Sequence, residues 1–389
     1  MFSKYITTVE ENIQSANFKT LKKEVREILK KARNGKDLSF EELGSLLSID
    51  PEKDVDLFME ILAISRQIKE RMFKNRIFPI VPVYVSSFCI EHCKYCNYRA
   101  ENKDKAIKRV RLTLEQLQEE LEYLILKKHF RVIELVYGSD PKIFPKIPDH
   151  IKLAHKILDK KGGGMVSINA GPFTVEDYRA FKEAGLDFVV LWQETYQKEY
   201  YDLMHPGDTQ KADFCYRVDD FERALQAGIK NIGLGVLLGL APWRKDWLLL
   251  MEHERYLFNK YGVRTSIVGI PRLKPAIGAL IRSTSFIPSD KELQLAVAVH
   301  NIFSPETLPF VNTREKFELC IELSKGGGVL FTFNCSTIPG GYTLGEKGYQ
   351  FPTYDFDVDE YLPKIRAKGL EPVFNWYFDK EHVPAVCYE

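Results

Sequence analysis

At 389 residues, 45% hydrophobic and 12% aromatic, the chain is long enough for one large α/β barrel and too apolar to stay disordered. Its 55 lysines and arginines balance 54 acidic residues, which excludes a global field that would draw nucleic acid or an anionic membrane. No apolar run approaches the ~18 residues of a membrane span, and MFSKYITTVEENIQ lacks the apolar stretch of a secretory signal, so a cytoplasmic protein is expected.

Residues 1–75 read as an N-terminal helical segment. FKTLKKEVREILKKA and VDLFMEILAISRQIKERMF place apolar residues three and four apart with charges between them. From about residue 78, short β-rich runs alternate with amphipathic helices. The runs are 78–87, 131–138, 164–170, 187–193, 231–240, 265–270, 308–313 and 329–333. Between them, TLEQLQEELEYLILKK opens with Thr113 and Gln116 in capping-box spacing, and TVEDYRAFKEAG opens on Thr174 and stops at Gly185. Eight strands joined by helices predict parallel pairing through crossovers, that is, an α/β fold with a TIM-type (β/α)8 barrel over 76–333. Residues 334–389 read as a tail packed on the barrel, with one helix (VDEYLPKIRAKG) and one strand-like run (LEPVFNWYF).

Barrels of this kind carry their chemistry at the C-terminal ends of the strands. Cys89, Cys93 and Cys96 follow the first strand, Ser139 and Asp140 follow the second, and Ser167 and Asn169 end the third. Glu194 follows the fourth strand, Arg272 the sixth and Arg314 the seventh, and Thr332 ends the eighth. The chain has seven cysteines, of which Cys215, Cys320, Cys335 and Cys387 are scattered singly, as packing residues are. The other three crowd into FCIEHCKYCNYR, spaced Cys-x3-Cys-x2-Cys. Four thiolates normally hold a [4Fe–4S] cube, so three leave one iron open to a substrate. Structural zinc with His92 as fourth ligand, a disulfide, and plain buried thiols are the competing readings. Zinc is disfavoured because no second Cys-x2-Cys pair exists.

Cys-x3-Cys-x2-Cys after a first barrel strand resembles the signature of the radical S-adenosylmethionine (SAM) superfamily. The resemblance implies a [4Fe–4S] cluster whose open iron chelates SAM, with Tyr95 at the aromatic position near the adenine. PVYVSSFCIEHCKYCNYR, WQETYQKEYYDLMHPGDTQKADFCYR and AGIKNIGLGVLLGL are similar to the aromatic amino acid lyases of that superfamily. PRLKP, NTRE and IPGGY follow in the same order, so the similarity covers about residues 78–380. The branch resembled most is the 2-iminoacetate synthase type, the tyrosine lyases of thiamin thiazole biosynthesis. Tryptophan lyases and the hydrogenase-maturation tyrosine lyases are related to it.

By this resemblance Glu194 and Arg217 contact SAM, Arg217 at its carboxylate, while Gly233, Gly235 and Gly239 let backbone approach the adenine. Arg314 anchors the substrate α-carboxylate, Thr332 supplies a hydroxyl, and Tyr84 borders the substrate. Ser167 and Asn169 are cofactor-side candidates from their strand-end position. From the residues alone, Glu194 and Arg217 also read as a buried ion pair, Tyr84 as a core aromatic, Tyr95 as a loop aromatic covering the cluster and Arg314 as a surface residue. The glycines also read as room for a bulge, and Arg272 either lines the site or holds its loop. Where related sequences tend to have Thr-Gly-Glu after the second strand, this chain has Tyr137-Gly138-Ser139-Asp140, so Ser139 or Asp140 is expected to substitute. The implied reaction is Cα–Cβ cleavage of L-tyrosine to p-cresol and 2-iminoacetate (dehydroglycine) by a 5′-deoxyadenosyl radical. Tryptophan or another amino acid is the alternative substrate, and a metal-binding scaffold is the alternative from another class. The implied partners are a flavodoxin- or ferredoxin-type electron donor and an acceptor protein for the imine. With Cys387 alone near the C-terminus, a second cluster is not expected.

Overall fold

The chain turns from helix to sheet at residue 76. In a computed structural model of the protein, which describes residues 1–16, 18, 19, 21–104, 107–379 and 384–386, eight strands follow in order. They are β1 (Arg76–Ser86), β2 (Val132–Tyr137), β3 (Met165–Asn169), β4 (Phe188–Val190), β5 (Asn231–Gly235), β6 (Ile267–Gly269), β7 (Leu308–Val311) and β8 (Leu330–Thr332). Each pairs in parallel with the next, and β1 pairs with both β2 and β8, which closes a (β/α)8 barrel. Each of the eight expected runs overlaps one of these strands, and β1 starts two residues earlier than expected.

The strands are buried on both faces, so they carry apolar residues at consecutive positions and not in alternation. On β1, Phe78 and Ile80 point into the barrel, while Ile77, Val81, Val83 and Val85 join the core under the helices. The register of β1 against β2 breaks between Tyr84 and Ser86. A bulge at a barrel rim re-aims the side chains around it. Here Tyr84 faces the cavity while Ser86 donates to the Asp140 carboxylate.

Among the described residues four α-helices precede the barrel: α1 (Ile6–Ser15), α2 (Lys22–Arg33), α3 (Phe40–Leu47) and α4 (Val55–Phe73). Nine more α-helices among these residues surround or lie between the strands: α5 (Leu114–Glu122), α6 (Ile147–Leu158), α7 (Val175–Glu183), α8 (Lys198–Met204), α9 (Phe214–Val218), α10 (Asp220–Gln226), α11 (Trp243–Tyr261), α12 (Asp290–Phe303) and α13 (Phe317–Lys325). The expected caps form at Thr113 with Gln116 and at Thr174 with Asp177. The N-terminal helices complete the outer shell, with α4 against α12 and α3 against α11. Phe2 stacks on His253 at 4.0 Å. Among the described residues no helix is long and apolar enough to cross a membrane.

The segment after β8 does two separate things. Residues 334–356 cross the open mouth of the barrel, and α14 (Val358–Ala367) then carries the chain to the opposite end. There the expected strand-like run splits into β9 (Glu371–Pro372), parallel to β1, and β10 (Trp376–Phe378), antiparallel to β11 (Pro384–Val386). Trp376 packs on Phe78 at 5.4 Å and donates its indole N–H to the Pro79 carbonyl, while Phe378 meets Phe188 edge-on. The floor of the barrel is sealed by these aromatics. Cys387 lies outside the described residues.

Candidate active site

One cavity of about 1360 Å³, mouth included, opens at the C-terminal end of the barrel. Cys89, Cys93 and Cys96 line it from the loop after β1. That loop is tied at its base by the Ser86–Arg111 bridge and by the Leu112 N–H to the Val85 carbonyl. It lies so close over β2 that a Cβ on Gly138 would stand 2.3 Å from the Phe88 carbonyl oxygen. Only glycine fits at that crossing.

The three thiols are free, and burial pushes Cys89 and Cys93 up to about 11, with neighbouring thiols adding to the shift. Taking up a metal cluster therefore releases protons. Among the described residues no three His, Cys, Asp or Glu side chains converge on a site for a single ion. His92 holds Glu101 at 2.7 Å and does not line the cavity. Three soft thiolates sharing one cavity wall without a fourth ligand fit a [4Fe–4S] cluster with an open corner. Two N–H groups already point at Cys96 Sγ, the Gln350 amide at 3.4 Å and the Tyr98 backbone at 3.3 Å.

Beside Cys93 stands a charged pair. Lys211 Nζ is 3.0 Å from Glu194 Oε1, and both are nearly buried. Burial works against both charges, but the pairing prevails: Glu194 is held below the usual carboxylate range by Lys211 and Arg217, and Lys211 is held charged by Cys93 and Glu194. Arg217 donates to the Gly171 and Trp192 carbonyls at 2.7 Å each and fixes two strand-end loops at the cavity wall. Tyr95 and His205 meet at 2.8 Å. His205 Nδ1 lies 2.9 Å from the Tyr201 carbonyl, which makes Nδ1 the protonated nitrogen and Nε2 the acceptor for the Tyr95 hydroxyl.

Across the cavity, Arg314 stacks its guanidinium on the Phe351 ring at 3.4 Å and donates to the Arg272 carbonyl at 3.2 Å. No carboxylate among the described residues pairs with it, and burial lowers its pKa. Thr332 donates its hydroxyl to the Val311 carbonyl, and Tyr84 donates to Gln350 Oε1. Both oxygens therefore keep only acceptor capacity towards the cavity. Gln350 in turn joins Tyr84 to Cys96.

Of the residues expected at the site, Tyr84, Tyr95, Ser139, Asn169, Glu194, Arg217, Arg314, Thr332 and the three cysteines line this cavity. Three expectations are corrected. Asp140 is not free to bind SAM, because its carboxylate is gripped by Arg111 at 2.6 and 2.8 Å and by Ser86. Ser139, whose hydroxyl makes no hydrogen bond among the described residues, is the member of that pair that faces the cavity. Ser167 lies two residues below Asn169 on the same face of β3, fully buried against the Ile133 carbonyl. Gly235 seats a side chain, not a ligand: the Trp192 indole lies 2.2 Å from where its Cβ would be and 2.5 Å from that of Gly269. Arg272 holds its loop through Glu315, Asp290 and the Pro288 carbonyl. The sequence reading missed Lys211, His205, Gln350, Phe351 and Glu134. Lys211 and His205 stand inside the quoted WQETYQKEYYDLMHPGDTQKADFCYR run, and Glu134 is a lone charge within an apolar strand.

The sequence profile of the radical SAM superfamily matches residues 83–243. The chain is 28% identical over 352 residues to 2-iminoacetate synthase of Salmonella typhimurium, covering 89% of each chain. It is equally 28% identical to 3-methylornithine synthase of Methanosarcina acetivorans over 344 residues, covering 87% of this chain and 91% of that one. The crystal structure of HydG, a maturase of the [FeFe]-hydrogenase, superposes with a TM-score of 0.86 at 32% identity, covering 95% of this chain and 80% of that one.

Proposed function

Because the chain belongs to the radical SAM superfamily and is a lyase within it, we propose that it cleaves the Cα–Cβ bond of an aromatic amino acid, L-tyrosine before tryptophan, to p-cresol and 2-iminoacetate. The observation that carries the reading is Arg314. It is a guanidinium without a carboxylate partner among the described residues, stacked on Phe351, in the same cavity as three clustered thiols. A buried fork of this kind suits a planar carboxylate. The chain is as similar to a 3-methylornithine synthase as to a 2-iminoacetate synthase, and the aromatic-walled cavity is what favours an aromatic substrate.

When bound, the [4Fe–4S] cluster and SAM supply a 5′-deoxyadenosyl radical. The rest falls to the chain. Cys89, Cys93 and Cys96 hold the cluster, and Glu194, Lys211 and Arg217 form the charged wall on that side. Ser139 and Tyr95 border the same space, as does Asn169. Arg314 takes the substrate carboxylate, which turns the amine towards the acceptor oxygens of Thr332 and Tyr84. Holding both ends of the reacting fragment is the orientation that such a reaction needs. Trp192, Phe310 and Phe351 keep water from the walls. A flavodoxin- or ferredoxin-type donor supplies the electron, and an acceptor protein takes the imine.

Anaerobic turnover of the reconstituted enzyme with dithionite, SAM and each aromatic amino acid in turn tests this. Formation of p-cresol from tyrosine, in step with 5′-deoxyadenosine, is the expected result. An indole product from tryptophan with none from tyrosine refutes the choice of substrate. No cleavage product from any aromatic amino acid refutes the lyase assignment.

A further inference from the structure

Glu134 is the residue whose placement the proposed reaction leaves unexplained. It lies on β2 one inward step below Val136, in register with Pro82 on β1 and Ser167 on β3. The inward side chains beneath it, Val132, Met165 and Phe188 among them, are apolar, as barrel layers usually are. Glu134 is 4% exposed, and it lines the cavity at its deep end. Its one hydrogen bond among the described residues comes from Asn169 Nδ2, at 3.2 Å to Oε1. Oε2 has no partner among the described residues, yet it is not sealed in, so it opens to the cavity. Among the described residues no cation pairs with the carboxyl, and burial pushes it up to about 7 against the weaker pull of Asn169. A carboxyl buried with one hydrogen bond and no ion pair costs stability, and such groups in clefts mark sites of function.

We propose that Glu134 reads the far end of the substrate side chain by accepting a hydrogen bond from a phenolic hydroxyl. The substrate class is then α-amino acids with a donor-bearing aromatic side chain, held by Arg314 at the carboxylate and by Glu134 at the opposite end. This rests on the lyase reading above. A neutral donor fits the floor better than an ammonium group. The Asn169 amide points its own N–H towards Glu134, no second carboxylate lines the floor, and the walls above are Trp192 and Phe310. A cation there would meet one acceptor and lose most of its hydration.

The test is binding, kept separate from turnover. Cluster-loaded, SAM-bound enzyme is titrated anaerobically with L-tyrosine, L-phenylalanine, O-methyl-L-tyrosine and L-lysine, for wild type, Glu134→Gln and Glu134→Leu. Iron content and unfolding temperature are checked for each variant. Wild type should bind tyrosine about 10- to 100-fold more tightly than phenylalanine or the O-methyl analogue, the range of a hydrogen bond to a charged acceptor. Glu134→Leu should remove that preference while phenylalanine binding stays within about threefold, and Glu134→Gln should fall between them. A preference that survives Glu134→Leu overturns the proposal, as does equal binding of tyrosine and phenylalanine by wild type, or tight binding of lysine alone. If the preference depends on Glu134 but no amino acid is cleaved, the recognition stands and the lyase reading fails.

Discussion

Replacing Arg314 by glutamine removes the fork but keeps a polar side chain over Phe351. In the structure the guanidinium spends one N–H on the Arg272 carbonyl, which leaves its other edge for a ligand. Two charge-assisted bonds to a carboxylate in a buried site amount to about 3–5 kcal/mol, or roughly 150- to 5000-fold in kcat/KM. Stability should move the other way or not at all. Among the described residues Arg314 has no carboxylate partner whose charge would be stranded, and burial already works against its own charge. The assay follows 5′-deoxyadenosine and the cleavage product separately against amino acid concentration. Arg314→Gln should raise KM and release more 5′-deoxyadenosine per product, with an unfolding temperature within about 2 °C of wild type. Arg314→Lys, which keeps the charge but not the fork, should fall between the two. A KM within threefold of wild type with unchanged coupling would refute the assignment.

Gly138→Ala puts a Cβ 2.3 Å from the Phe88 carbonyl, so the cysteine loop must shift; iron bound per chain after anaerobic reconstitution should drop by half or more, and full loading would contradict the packing argument. Gln350→Leu deletes one N–H donor to Cys96 Sγ, and the cluster potential should fall by about 20–60 mV in a redox titration followed by electron paramagnetic resonance; an unchanged potential shows that the bond does not tune it. His150 and His253 are pushed down by burial to about 4 and about 3. The unfolded chain takes up protons at these sites from about pH 6.5 downwards, whereas the folded one does not, so stability is full above that pH and declines on acidification. The slope reaches about 1.4 kcal/mol per pH unit for each histidine. Urea midpoints at pH 7.5 and 5 measure it, and a double His150→Asn, His253→Asn variant should flatten the difference.

The barrel was legible because its strands obey a simple rule: parallel strands under helices are apolar at nearly every position, and helix caps such as Thr113 with Gln116 and Thr174 with Asp177 mark where some of the crossover helices begin. The cysteine loop was legible because its ligands are neighbours in sequence. What failed depends on partners far along the chain. Asp140 looked free until Arg111 was seen on it, and Gly235 looked like a ligand cradle until Trp192 filled it. Ser167 and Asn169 share a face, so no pattern distinguishes the one under the cavity from the one beside it. Gln350 and Phe351 come from a long loop with no periodicity, and only tertiary contact assigns them a place. Glu134 was the avoidable omission: a single carboxylate in RVIELVYG is itself a signal.

The bond from Gln350 to Cys96 spans 254 positions in sequence. During synthesis at about 5–20 residues per second, the three thiols emerge roughly 13–50 s before the wall that will cover them. Throughout that interval they are bare, oxidisable sulfurs on an unfinished barrel. Iron delivered early would meet ligands with no enclosure, so the arrangement favours metallation as a late event, after the chain has closed over its own thiols.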